Sequence, residues 1–326
     1  MIRKNIKDNS PFLLDPVGKD YIWGGEKLKK CFNKDHIDKS PLAETWECST
    51  HPDGLSKIRS TGESFASFLR RKPGLLCKRE SLGEFPLLLK LIDAKENLSV
   101  QVHPDDDYAR VNENGQKGKT ELWYIIDAEK DSYIYLGFKS LCNKEKICEL
   151  IETGNLETIL NKVPVRKGDS FLVKPGTVHA IGKGILLAEI QENSNITYRL
   201  YDYSRTDSLG NKRELHLKKA LEVLDMTSSF IPGKQKRHIK YEACVRKELL
   251  VFCKYFIAEI WSVKGKTALP DSLRKNSIVL CIDGVGEVSG INDIFFEIRK
   301  GDCFFIPYSD HRFFLSGNPI LIVVRF

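Results

Sequence analysis

The chain has 326 residues, of which 41% are hydrophobic and 29% charged, an ordinary balance for a folded protein able to bury a sizeable core. Its formal charge of +7 is scattered in short clusters (Lys27, Lys29 and Lys30; "GKQKRHIK" at 233–240) and not interleaved with aromatics, which argues against nucleic-acid binding and suits a small anionic ligand. No apolar run reaches 18 residues, "MIRKNIKDNSPFLL" lacks a signal-peptide core, and the nine cysteines include no CxxC pair, so the expectation is a cytoplasmic protein with reduced thiols and no membrane partner.

In chain order, "ESFASFLRRK" (63–72) predicts a short helix. "FPLLLKLIDA" (85–94) and "LSVQVH" (98–103) predict strands, the second breaking at Pro104 into three aspartates. Those aspartates, Asp105 to Asp107, are turn or helix-cap chemistry rather than ligands. Further strands are predicted at "TELWYIID" (120–127), "SYIYLGF" (132–138), "SFLVKP" (170–175) and "GILLAEIQ" (184–191). Helical patterning returns only at 140–155 and 215–226. Many short strands between turns argue for a β-sandwich or barrel. "VRKGDSFLVKPGTVH" (165–179) recurs as "IRKGDCFFIPYSDHR" (298–312), which predicts two copies of one β-sandwich unit. The second copy lacks the ligand-type residues that precede the first. "TSSFIPGKQK" (227–236) has the composition of a linker between them.

Three segments offer candidate ligands. Gln101 and His103 stand two apart, so a strand presents both on one face. Glu121 lies two residues after Lys119, and His179 follows a Pro-Gly turn. Taken singly, each is more often a satisfied strand-end histidine or a solvated charge. Together, two His, one Glu and one Gln oxygen at the ends of neighbouring strands make an N/O site for zinc or a similar divalent ion, with a position open to water or substrate. In "AEIQENSNITYRLYDYSR" (188–205), Glu189, Gln191 and Asn193 alternate, and Arg199 follows. This is either the polar outer face of an edge strand or a carboxylate and a guanidinium facing one cavity, a pair suited to moving protons while negative charge develops on oxygen.

"SVQVHPDD", "GKTELWYII", "PGTVHAIGKG" and "AEIQENSNITYRLYDYSR" closely resemble type I phosphomannose isomerases, in particular their short bacterial form. "YIWGGEKL" (21–28) and "ETWECSTHPDG" (44–54) resemble the family's opening motifs, so the likeness runs from about Pro16 to the C-terminus. It implies a mainly β cupin fold, a double-stranded β-helix jelly roll, and interconversion of mannose 6-phosphate and fructose 6-phosphate through an enediol. It further implies one zinc ion per subunit, with ligands at Gln101, His103, Glu121 and His179. Arg199, Glu189 and Lys119 fall on catalytic positions, and Lys90 and Ser99 on substrate-binding ones. The sequence departs from the family at Lys174, where Pro and a small residue are common, and at Asn195, where Asp is frequent. The expected organisation is a catalytic cupin domain over 1–228, with N-terminal strands and a helical insert, and a degenerate cupin-like domain over 229–326. The expected partner is a sugar phosphate, and the expected assembly a monomer or weak homo-oligomer. Two rival readings are another metal-dependent cupin sugar-phosphate isomerase and a non-catalytic sugar-binding cupin regulator.

Overall fold

The computed structural model describes residues 9–76, 85–206, 209–227, 238–274, 276–291 and 293–326. Strands arranged in four antiparallel sheets dominate it. The expected helices occur as Phe65–Arg71, Lys144–Glu152 and Leu217–Val223. Ser64 and Asn143 start the first two by accepting hydrogen bonds from the Ser67 and Lys146 amides. Asp105 does the same for Asp106–Asn112 by accepting from Tyr108 N, so the aspartate run is cap chemistry, as its position after Pro104 predicts. Lys27–Phe32 is helical where the sequence suggested only a basic cluster; Leu28 and Phe32, four apart, bury its inner face.

A six-stranded sheet carries half of the site. In order, its strands are Ser170–Val173, Glu121–Ala128, Ile185–Glu192, Leu87–Ala94, Glu44–Cys48 and Val17–Lys19. Both of its faces are covered, which explains the near-continuous apolar runs in the sequence. One face (Leu87, Leu89, Leu91, Leu122, Tyr124, Leu186, Ala188 and Ile190) packs on an eight-stranded sheet through Ile278, Leu280, Phe305, Ile322 and Val324. The other face (Ile92, Trp123, Ile125, Ile185 and Leu187) packs on a five-stranded sheet through Ile134, Leu136 and Ile181. Because side chains alternate along a strand, Lys90, Glu121 and Glu189 fall on this second face. The first half of the segment 188–205 is therefore not an edge, since Ile185–Gln191 lies between two partner strands, whereas Tyr198–Tyr201 is the edge strand of the five-stranded sheet.

The five-stranded sheet runs Tyr198–Tyr201, Val100–Val102, His179–Ile181, Tyr133–Phe138 and Leu160–Pro164. Val100, Val102, Ala180, Tyr198 and Leu200 pack on its outer side, in a cluster with residues of the Lys144–Glu152 and Leu217–Val223 helices. Gln101, His179 and Arg199 alternate with them and face the six-stranded sheet.

The second sandwich pairs the eight-stranded sheet with a four-stranded one of Thr267–Ala268, Phe314–Gly317, Val285–Ser289 and Ile294–Arg299. Its interior is filled by Trp261, Val279, Phe304, Phe313, Leu315 and Val323, so this copy encloses side chains where the first encloses polar groups. The repeated turn has the same construction in both copies. Arg166 N donates to Asp169 Oδ2 and Arg299 N to Asp302 Oδ2, and Gly168 and Gly301 adopt φ of +91° and +93°. The units also share strands: Phe12–Asp15 and Lys57–Ile58 extend the eight-stranded sheet beside Cys303–Ile306. The proposed linker lies, beyond Thr227, outside the described residues. Among the described residues, no helix is long and apolar enough to cross a membrane.

Candidate active site

Strand register assembles the site. Gln101 stands between His179 on one neighbouring strand and Arg199 on the other. In the facing sheet Glu189 lies between Lys90 and Trp123, and Gln191 is opposite Glu121. Of these, Lys90, Gln101, Glu189 and Arg199 border a cavity of about 250 Å³, which is also lined by Ser99 and Lys119 and by Tyr21, Trp23, Glu44, Asn195, Thr197 and Arg213.

His103, Glu121 and His179 are at most 1% exposed, and their ligand atoms lie within 4.8 Å of one another. His103 Nδ1 is 2.8 Å from Ile196 O and His179 Nδ1 is 2.8 Å from Thr177 O. A carbonyl accepts only, so both Nδ1 atoms carry the proton and both Nε2 lone pairs point away from the backbone. Those lone pairs meet Glu121: His103 Nε2 is 3.2 Å from Oε1 and His179 Nε2 is 3.7 Å from Oε2. Burial, with the Lys119 ammonium, pushes the His103 imidazole down to about 4, and burial lowers His179 as well, so both rings are neutral near pH 7. Burial works to raise the Glu121 carboxyl, but Lys119 and His103 beside it hold it well below the usual range. Neither Glu121 oxygen accepts a well-directed hydrogen bond, although Lys119 Nζ forms a close ion pair with Oε1.

Two imidazole lone pairs and an ionised carboxylate thus converge, with the Lys119 ammonium against Glu121 Oε1 and 3.4 Å from His103 Nε2; the two rings and the carboxylate are a donor set that fits a divalent cation. Gln101 lies beside the group. Its amide reaches His179 Nε2 at 3.3 Å, and rotating that amide would present its oxygen there.

The acid–base candidates form a second cluster. Glu189, 3% exposed, accepts from Trp123 Nε1 at 3.0 Å and lies 3.0 Å from Lys90 Nζ. Lys90 is also 3.8 Å from Glu44, which accepts from Trp46 Nε1. Burial would lower the Lys90 ammonium, but Glu189 and then Glu44 raise it. Arg199 donates from Nε to Ser99 Oγ (3.2 Å) and from Nη1 to Glu214 O (2.8 Å).

Every sequence-predicted catalytic or substrate-binding residue thus borders the cavity, and the His–Glu–His group sits beside it. Asn193 does not: it bonds Thr50 and faces a separate cavity. Gln191 is buried and donates to the Glu192 and Ser194 carbonyls, while Tyr201 and Tyr203 pack on the outer cluster. Sequence reasoning missed Tyr21, Trp23, Glu44, Thr197 and Arg213. Glu44 carried a usable signal, because it alternates with Trp46 in "ETWEC" as a polar residue on a buried strand. Arg213 carried none, since it lies in a loop whose path depends on tertiary contacts.

A model of the type I phosphomannose isomerase catalytic domain matches residues 12–142, and one of the mannose-6-phosphate isomerase cupin domain matches residues 246–326. The chain is 39% identical to mannose-6-phosphate isomerase ManA of Bacillus subtilis, over 96% of this chain and 98% of that protein. It is 34% identical to the mannose-6-phosphate isomerase of Streptococcus mutans, over 94% of this chain and 96% of that one. The crystal structure of the mannose 6-phosphate isomerase from Bacillus subtilis superposes with a TM-score of 0.89 at 34% identity, covering 97% of this chain and all of that one. A mutant of phosphomannose isomerase from Salmonella typhimurium, 16% identical, shares the fold with a TM-score of 0.79. With matching models at both ends and full-length relatives above 30% identity, the chain belongs to the type I phosphomannose isomerase family.

Proposed function

We propose that the chain interconverts mannose 6-phosphate and fructose 6-phosphate as a metal-dependent aldose–ketose isomerase. The observation that carries this reading is the meeting, around one cavity, of a buried His103–Glu121–His179 group with the Glu189–Lys90 pair and Arg199. His103, Glu121, His179 and the Gln101 oxygen would hold one zinc ion. When bound, a divalent cation supplies Lewis-acid polarisation of a substrate oxygen.

Isomerisation removes the proton at C2 of the open-chain aldose and returns one to C1 through an enediol. Glu189 is placed to act as the shuttle: it is buried, it faces the cavity, and Trp123 Nε1 fixes one oxygen so that Oε1 is directed by Lys90 alone. Lys90 offsets the carboxylate charge and can donate to a substrate hydroxyl. Arg199, braced by Ser99 and the Glu214 carbonyl, stabilises negative charge as it develops on oxygen. Lys119 neutralises Glu121 and reaches the cavity between the two clusters. In this reading residues 1–228 carry catalysis, and 229–326 are a non-catalytic cupin copy that backs the six-stranded sheet. The described cysteines are all free, which supports a cytoplasmic location. The test is a coupled assay for fructose 6-phosphate formed from mannose 6-phosphate by the metal-loaded chain; absence of product would refute the assignment.

A further inference from the structure

Glu189 stands in mid-sheet, held by a partner strand on each side, whereas Arg199 stands on Tyr198–Tyr201, the edge strand of the five-stranded sheet. Only Val100–Val102 pairs with that strand, and the pairing slips between Arg199 and Tyr201. An edge leaves alternate N–H and C=O groups without a ladder partner, and a slip in register loosens the ladder further. The backbone from which the Arg199 guanidinium projects therefore needs another hold.

Residues Glu214 to His216 supply it at three points. His216 N donates to Arg199 O at 2.8 Å, Arg199 N donates to His216 Nδ1 at 3.2 Å, and Arg199 Nη1 donates to Glu214 O at 2.8 Å. The imidazole takes the place of a ladder carbonyl. An N–H needs a lone pair to donate to, so Nδ1 is unprotonated in this bond and the ring proton sits on Nε2. His216 O accepts from Ala220 N in the helix Leu217–Val223, and Ala220 packs in the outer cluster with Tyr198 and Leu200. The helix thus anchors His216, and His216 anchors the arginine.

The ring is partly buried among groups of both signs. Arg199 and Tyr198 face it from the strand, the tyrosine ring at 6.4 Å. Glu214 precedes it, Lys219 lies on its own helix, and Glu113 comes from the end of Asp106–Asn112. Glu113 is engaged, accepting from Tyr198 Oη at 2.5 Å and from Lys219 Nζ at 2.6 Å. Burial, and then the Arg199 charge, hold the His216 imidazole below its ordinary value, with smaller opposing influences from Glu214 and Glu113. At neutral pH the acceptor is intact. A protonated ring would set donor against donor at Arg199 N and place a second cation beside the guanidinium.

We propose that His216 is a positioning residue for Arg199: its unprotonated Nδ1 fixes the arginine's backbone so that the guanidinium stays aimed into the cavity, and protonation of the ring releases that hold. This rests on the reading of Arg199 as the stabiliser of developing negative charge. His216 lies outside the cavity lining and acts through the arginine.

The test compares metal-loaded wild type with His216→Ala, which removes the acceptor, and His216→Asn, whose side-chain oxygen can stand where Nδ1 does but does not titrate. For His216→Ala, kcat should fall roughly 10-fold, less than for loss of the guanidinium itself, with KM for mannose 6-phosphate moved by less than about 3-fold and metal content unchanged. His216→Asn should recover kcat to within about 3-fold of wild type. Below about pH 6.5, wild-type kcat should decline in a step that His216→Asn lacks, with metal per chain held at one in both. Equal kcat for wild type and His216→Ala, a loss that His216→Asn does not recover, or identical acid limbs would overturn the role. A measurement without turnover separates this proposal from the isomerase assignment. In 15N relaxation, the Arg199 Nε–H signal, identified by its absence from Arg199→Ala, should be rigid in wild type near pH 7 and mobile once His216 is protonated. It should stay rigid over the same range in His216→Asn, so the test holds even if His216→Ala does not fold. If the signal behaves in this way, the positioning role stands whether or not mannose 6-phosphate is converted. A guanidinium whose mobility ignores the protonation of His216 overturns the role whatever the turnover.

Discussion

Replacing Glu189 by Gln isolates the proton-transfer role. The side chain is 3% exposed, accepts from Trp123 Nε1 at 3.0 Å and lies 3.0 Å from Lys90 Nζ. Glutamine is isosteric and its carbonyl can still accept from Trp123, so packing is retained. Lys90 loses one of two counter-charges and keeps Glu44 at 3.8 Å. Removing one partner of a buried pair outright costs about 3–5 kcal/mol; with Glu44 retained, the expected loss of stability is about 1–3 kcal/mol. The kinetic effect should be larger. A positioned general acid–base group contributes roughly 10²–10⁴ in rate, so kcat should fall by that factor while KM moves by less than about 5-fold. Metal content should be unchanged, because Glu189 lies outside the His103–Glu121–His179 group. The assay is coupled formation of fructose 6-phosphate, supplemented by solvent-proton exchange into the sugar. Turnover within about 3-fold of wild type, with metal bound, would refute the assignment.

Arg199→Ala should lower kcat by roughly 10²–10³, the usual effect of removing one oxyanion-stabilising donor, with metal content intact. Parallel loss of metal would show that the arginine is structural. The two repeated turns should respond differently to alanine. At Gly168 an added Cβ has nothing within 4 Å, so the cost is that of a left-handed residue, about 1–2 kcal/mol. At Gly301 it would lie 2.1 Å from Phe32 O, so Gly301→Ala should lower the melting temperature clearly further; equal shifts would contradict the packing described. Burial and the neighbouring Asp106 push the Glu192 carboxyl up to about 8. The unfolded chain then releases this proton first, so the stability it contributes is complete below about pH 4.5 and declines as pH rises toward 8. Denaturant unfolding of Glu192→Gln should lack that decline, and an unaltered pH profile would show that the group is not shifted.

Much of the site is legible in the sequence because strands are simple to read. A polar residue on a strand buried on both faces, such as Lys90, Glu121 or Glu189, interrupts an apolar run and marks itself. Gln101 and His103 are legible for the same reason, and the Asp105 cap follows from the Pro104 break. Alternation alone cannot distinguish an edge from a centre: "AEIQENSNITYRLYDYSR" fits both, and only pairing with Leu87–Ala94 and Glu121–Ala128 places its first half in mid-sheet. Alternation also stops at the strand end, which is why Asn193 turns away from Glu189. Arg213 is illegible because its position depends on Asp202 drawing a loop back over the sheet, a contact across 11 residues with no periodicity. The shared strands are hidden as well, since Phe12–Asp15 pairs with Cys303–Ile306 across nearly the entire chain.

The central claim is that isomerisation depends on one divalent ion held by Gln101, His103, Glu121 and His179. The most direct test removes metal stepwise with a chelator, restores it with zinc, and measures metal per chain alongside conversion of mannose 6-phosphate to fructose 6-phosphate. Activity should fall in proportion to bound metal, vanish with it, and return at one ion per chain. Full turnover by a chain stripped of metal would contradict the account.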